Sequence, residues 1–392
     1  MDKFKVEPDH LDAYAKQVGR AEDDMAAAGR YVQNNTGIET SGAGSTLWQH
    51  VVALHKECSV HAQQAFVGYK DVLAQSSAEL VRSATYYRMT DANEAAAVDR
   101  TYPTGKNGPL GPNEFAAIGV VFPTFTDPED AQECLKADPE PGFFEARWKG
   151  LVGDRWDAVM NNSDSALSTI GESVGVVLDL CSPTALINEG IKLIFNYDVL
   201  GSLAQLVAGD WDTFDSCAKA WIKLGVLCSA VGTNVDHGNR NLSVSWNGQA
   251  ADTAYDYFNE ISRKIKEAQE IFKKLHGCYE EVAREINAFI NVLKAAMTTI
   301  GDIAIQVALE AAAGAAAAAT GVGLVLTVGA AAIIAAQCAR AAKIVDDTLD
   351  ALNMLYITIN GARSSGQAGV VAEVEAIKKF PVPKREYDNQ VV

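Results

Sequence analysis

From Ala254 to Ile300 the apolar residues return in alternating steps of four and three: Phe258, Ile261, Ile265, Ala268, Phe272, Leu275, Tyr279, Val282, Ile286, Phe289, Leu293 and Ala296. This spacing keeps one seam on one face of a helix and excludes a strand, whose period is two. A helix of roughly 45 residues at about 1.5 Å per residue is nearly 70 Å long, and its seam cannot stay bare in water. Partner helices are therefore required.

The segment just upstream supplies the nearest one. Asp210 is placed to cap a helix that carries Phe214, Ala218, Trp221, Gly225, Cys228, Val231 and Val235 at helical spacing, weakening at Gly238-Asn239. A short loop then leads through Trp246-Asn247-Gly248 into the long helix, which predicts an antiparallel helical hairpin over 210–300. In that loop the glycine permits a close reversal, and the tryptophan is a large apolar plug with one N–H donor.

A second hairpin is predicted over residues 1–100. Leu11, Tyr14, Val18, Ala21, Met25, Ala28 and Val32 form one helix, with a stop at Asn34-Asn35-Thr36-Gly37. After the small-residue loop Ser41–Ser45, a second helix carries Leu54, Cys58, Ala62, Phe66, Tyr69, Leu73, Leu80, Ala84 and Tyr87. At its end, Tyr87 and Asp91 stand four residues apart, a spacing that puts phenol and carboxylate on one helix face for a receptor to read together. The plainer reading makes Tyr87 the last core residue of the seam and Asp91 a solvated helix-end acid.

The 210–300 hairpin, with Trp246 and Gly248 at its turn, resembles the WxG superfamily of helical proteins exported by the type VII (ESX) secretion systems of actinobacteria and relatives. The first hairpin resembles the EspC-like branch of that superfamily. It has no W-x-G at its turn, and Trp48 lies a few residues beyond. Tyr87-Arg88-Met89-Thr90-Asp91 fits the Y-x-x-x-[DE] export signal carried by substrates of these systems. In exported pairs one partner contributes the signal and the other the W-x-G turn. Here the first hairpin has only the signal and the second only the turn. The resemblance thus implies an intramolecular pseudo-heterodimer: an all-α chain whose tandem hairpins pack as an antiparallel four-helix bundle, Tyr87 and Asp91 beside Trp246 and Gly248. Separate W-x-G partner proteins or a second copy of the chain satisfy the same seams.

The rest of the chain divides into a Pro/Gly-rich linker (101–145), a helical insert (146–209) in which Ser182-Pro183 starts a short helix, alanine-rich helices (301–360) and a flexible tail (361–392). Ala311 to Ala339 contains no charged residue. A helix buried against the bundle, a helix pair turning at Thr320-Gly321, and a membrane-inserting or pore-forming segment all fit that stretch. The net charge of -17 argues against nucleic acid and anionic lipid as partners by bulk electrostatics. The first residues, Met1 to Glu7, show no basic n-region followed by an apolar stretch, in keeping with export without a Sec signal peptide.

Catalytic and metal chemistry find little purchase. Gly171-Glu172-Ser173-Val174-Gly175 matches the G-x-S-x-G of serine hydrolases, but only His237 and His276 follow it, and no strand–helix alternation accompanies it. His55, Cys58 and His61 drift around a helix in steps of three and bring no fourth ligand. Seven scattered cysteines without a C-x-x-C read as reduced core residues. The expectation is a non-enzymatic, secreted interaction or effector protein with no cofactor and no metal. Its partners would be the ATPase or a chaperone of the type VII machinery.

Overall fold

The computed structural model describes residues 4–38, 45–90, 92–101, 123–136, 183–206, 209, 211–319 and 324–382. The chain is all-α. Among the described residues its helices are α1 (Pro8–Asn35), α2 (Thr46–Met89), α3 (Ala92–Asp99), α4 (Glu133–Lys136), α5 (Pro183–Phe195), α6 (Val199–Gln205), α7 (Trp211–Leu242), α8 (Gln249–Ala319) and α9 (Leu324–Lys378). Asp91, Asp210, Ser173 and the G-x-S-x-G segment around it lie outside the described residues.

Two antiparallel hairpins, α1–α2 and α7–α8, pack against each other through α1 and α7. Tyr14 crosses that seam, its hydroxyl donating to the Val235 carbonyl at 3.0 Å and its ring meeting Phe258 edge-on at 4.9 Å. Across the centre, Phe66 of α2 stacks on Phe272 of α8 at 5.1 Å, and Phe214 of α7 stacks on Tyr279 of α8 at 4.7 Å. Interdigitated aromatic layers of this kind bury large areas and fix the register of neighbouring helices.

The bundle has a fifth member. Helix α9 runs parallel to α2 and antiparallel to α8, filling the groove between them. Arg363 pairs with Glu57 of α2, the Tyr69 hydroxyl donates to Glu373, and Gly366 lies against Leu275 of α8. Burial pushes the Glu373 carboxyl above its usual range. The small-residue stretch Gly361–Gly369, expected to open a flexible tail, is instead helical through to Lys378. Ala362, Gly366, Val370, Val374 and Ile377 recur on one face of it and are buried. The small residues let α9 approach α8 and α2 closely, so they mark a packing face and not a breakpoint.

The long helix also exceeds its expected length. Helix α8 spans 71 residues, continuing past Ile300 into the alanine-rich stretch, because Ile303, Ala304 and Val307 extend the seam. At about 1.5 Å per residue it is roughly 105 Å long. Beyond the bundle it pairs with the first half of α9, Gln337 donating to Gln306 at 2.9 Å. The Ala311–Ala339 stretch is therefore helical up to Ala319 and again from Leu324, in two antiparallel helices. Helix α5 docks beside them, a Cβ at Gly190 falling 1.9 Å from the Ala304 carbonyl oxygen, so the two backbones touch. On this extension Ile333 is 47% exposed.

Within the linker, residues 123–136 form a strap over α1 and α7. Buried Asn234 exchanges two hydrogen bonds with the Glu129 backbone, at 3.0 and 2.9 Å. Gln17 donates to the Thr126 carbonyl at 3.0 Å, and Arg20 pairs with Asp127 and donates to the Phe125 carbonyl at 2.7 Å. Pro123 and Pro128 keep the strap irregular up to α4, and these side chains satisfy backbone groups that a helix would pair internally.

At the opposite end of the α1–α2 hairpin, the His55 side chain is engaged on both nitrogens. Nε2 donates to the Thr36 carbonyl, which can only accept, so the hydrogen-bond network assigns Nδ1 as acceptor for the Tyr279 hydroxyl at 2.9 Å. Burial lowers the His55 pKa to about 4 and pushes the neighbouring Cys58 thiol up to about 12. An imidazole with both nitrogens committed and a protonated thiol make poor metal ligands. Cys58, Cys217, Cys228 and Cys278 are buried and unbridged.

Candidate functional site

The site lies where the first hairpin ends and the second turns. Helix α7 closes with Ser245 and Trp246 both donating from their backbone nitrogens to the Leu242 carbonyl, at 2.9 and 3.0 Å. This tight end turns Trp246 inward, where it is 3% exposed and joins the main core. Gly248 follows at φ +142°, and its carbonyl accepts the first helical bond of α8, from Asp252 at 3.0 Å. It is the N-cap residue, yet it has no side chain with which to cap.

Asp99 performs that service from about 150 positions upstream. Its two carboxylate oxygens accept the backbone N–H groups of Gln249 at 3.0 Å and Ala250 at 2.9 Å. A carboxylate at this end also faces the positive pole of the helix. The approach is close: a Cβ at position 248 would stand 2.6 Å from Asp99 Oδ1 and 2.8 Å from its Cγ. The glycine is thus required twice, for its backbone angle and for the space that the aspartate occupies.

Tyr87 reaches the same place from the end of α2. Its ring meets that of Trp246 edge-on, with centroids 6.0 Å apart, and lies 6.0 Å from Phe4 and 5.5 Å from Tyr86. Arg88 points outward and pairs with Asp9 and Asp12 of α1, at 2.6 and 2.5 Å. Met89 is 83% exposed. Thr90 turns extended at φ -109°, ψ 137°, so the chain leaves α2 and returns through α3, whose last residue is the capping Asp99.

Of the four expected site residues, Tyr87, Trp246 and Gly248 are brought together, and Asp91 lies outside the described residues. Asp99 and Phe4 were not anticipated. An acidic residue closing a short run of alanines has no local partner to betray it, and a cap arriving from another hairpin leaves no trace in sequence spacing. His237 and His276, the two histidines weighed for Ser173, sit on α7 and α8, the latter with Nδ1 2.7 Å from the Ala218 carbonyl oxygen.

No protein-family model matches this chain, and comparison with curated proteins and with solved structures finds no match.

Proposed function

We propose that this chain is a non-enzymatic substrate of a type VII (ESX) secretion system, exported as an interaction or effector protein. The observation that carries the proposal is the contact of Tyr87 with Trp246. The two halves of a WxG-type export pair, a tyrosine-based signal and a W-x-G turn, meet within one chain. Asp99 ties them together by capping the helix that follows the turn. Tyr87 and Asp91 then form the surface read by the machinery, its ATPase or a chaperone, and Trp246 and Gly248 hold that surface in place.

The test is export from the native host, comparing wild type with Tyr87→Ala and Asp91→Ala in cell pellet and culture filtrate, with a cytoplasmic marker for lysis. Wild type is expected in the filtrate and both variants, still folded, in the pellet. Equal export of all three, or retention of all three, refutes the proposal.

A second reading rests on the two-helix extension. The stretch Gln249–Ala315 of helix α8, which reaches only the first residues of 311–339, is long and apolar enough to cross a membrane by length and composition alone, and less than half of its most apolar window is buried. With Ile333 exposed nearby, insertion of 311–339 into a bilayer after export is the competing role. Flotation of the purified chain with zwitterionic vesicles measures it. Recovery wholly in the unbound fraction removes the membrane role and leaves a soluble interaction protein.

A further inference from the structure

The backbone of Ser245 to Asn247 presents one N–H and two carbonyl oxygens sideways, and all three are taken by the residues preceding α1. Lys5 and Asn247 form an antiparallel bridge, Asn247 N donating to the Lys5 carbonyl at 2.8 Å and Lys5 N to the Asn247 carbonyl at 3.2 Å. Glu7 N donates to the Ser245 carbonyl at 3.2 Å. The segment 4–7 thus adds to the W-x-G turn as a strand adds to a sheet edge.

Its side chains alternate accordingly. Phe4 lies against Tyr87, and Val6 packs on the main core, whereas Lys5 is exposed. Three backbone bonds, one ring contact and one aliphatic contact make a small attachment, of a size that opens locally without global unfolding. It nevertheless covers one side of Tyr87.

We propose that the Ser245–Asn247 edge and the Tyr87 ring form a docking ledge for an extended peptide segment of a partner, one bearing an aromatic residue followed two positions later by an aliphatic one. In the free protein residues 4–7 occupy the ledge as a built-in stand-in for that segment, and they leave when the partner binds. The export machinery as the source of the partner rests on the reading above; the ledge and its exchangeable occupant do not.

The probe is a synthetic peptide of residues 2–8, titrated to millimolar concentration against three forms of the full chain. In the first, Phe4→Ala with Lys5→Pro removes the ring and one of the bridging donors and opens the ledge. The second is wild type. The third is Lys5→Cys/Asn247→Cys, oxidised, since facing residues that exchange both bonds sit about 5.5 Å apart at Cα, within disulfide reach.

The opened form is expected to bind the peptide, wild type at least about tenfold more weakly because its ledge is mostly filled, and the cross-linked form not at all. A peptide with Phe4→Ala and Val6→Ser should lose binding. Iodination of Tyr87, followed by mass spectrometry, should rise in the opened form. Circular dichroism verifies folding, and Phe4→Ala alone, which keeps every backbone bond, replaces the proline variant if that one does not fold. The proposal is overturned if a folded, opened form fails to bind, if all three forms bind alike, or if Tyr87 labelling does not rise. None of these outcomes bears on whether Tyr87→Ala blocks export, so the two readings fail separately.

Discussion

Replacing Gly248 by alanine is expected to destabilise the chain by about 2–4 kcal/mol, read as a lower urea midpoint with an unchanged slope. At φ +142° an L-residue is strained. The new methyl would also sit 2.6 Å from the Asp99 carboxylate, so Asp99 must withdraw from the N–H groups of Gln249 and Ala250. Backbone strain of about 1–3 kcal/mol adds to a lost cap of about 1 kcal/mol. Asp99→Ala alone should cost about 1–2 kcal/mol, as N-cap losses do. In the double variant the clash is gone, so its cost should fall short of the sum of the two single costs. Additive costs would mean that glycine and aspartate do not share the turn.

The second large effect is pH-dependent and belongs to His55. In the folded chain its pKa lies at about 4, against an ordinary value of 6.5, because burial disfavours the imidazolium. Between those two values the unfolded chain binds a proton that the folded chain does not. The stability due to a neutral His55 is therefore complete above pH 6.5 and is lost as pH falls toward 4. At about 1.4 kcal/mol per tenfold change in proton affinity, the fall from 6.5 to about 4 sets a loss of about 3 kcal/mol. Glu373 and Asp24, whose carboxyls burial pushes up, act in the opposite sense, favouring the fold as they protonate. The comparison that isolates the histidine is therefore wild type against His55→Gln, by urea unfolding at pH 7 and pH 4. The wild-type loss should exceed that of the variant by about 3 kcal/mol. Equal losses would place the imidazole in contact with water.

Much of this architecture was legible in the sequence because a helical seam carries its own period. The residues from Phe258 to Ile300 announced α8, and those from Leu11 to Val32 announced α1, since burial and spacing coincide along both. Two features misled. Alanine and glycine in 311–319 and the small residues of 361–369 carry little apolar weight, so a pattern read from large side chains fades there; yet small residues are what closely packed helices need. The strap at 123–136 was invisible for a different reason. Its order comes from Gln17, Asn234 and Arg20 reaching it from distant helices, and prolines advertise only what the segment is not.

The site was half legible. Trp246, Gly248 and Tyr87 stand out in the sequence, and the Tyr87 and Trp246 rings meet in the structure. Asp99 and Phe4 act through partners roughly 150 and 80 positions away, a relation that only tertiary structure supplies. Gly248 is held by Asp99, so the end of the first hairpin and the turn before α8 are joined by hydrogen bonds as well as by the Tyr87–Trp246 ring contact.

That union within one chain is the central claim, and the most direct measurement is a photo-crosslink. With p-benzoylphenylalanine in place of Tyr87, irradiation of the purified chain at micromolar concentration should join position 87 to the peptide containing Trp246. The product should run at the mass of one chain, with a yield unchanged on dilution. Crosslinks that appear only between two chains and fade on dilution, or a position 87 that captures nothing near Trp246, would show that the two motifs do not meet within a single molecule and would contradict the account.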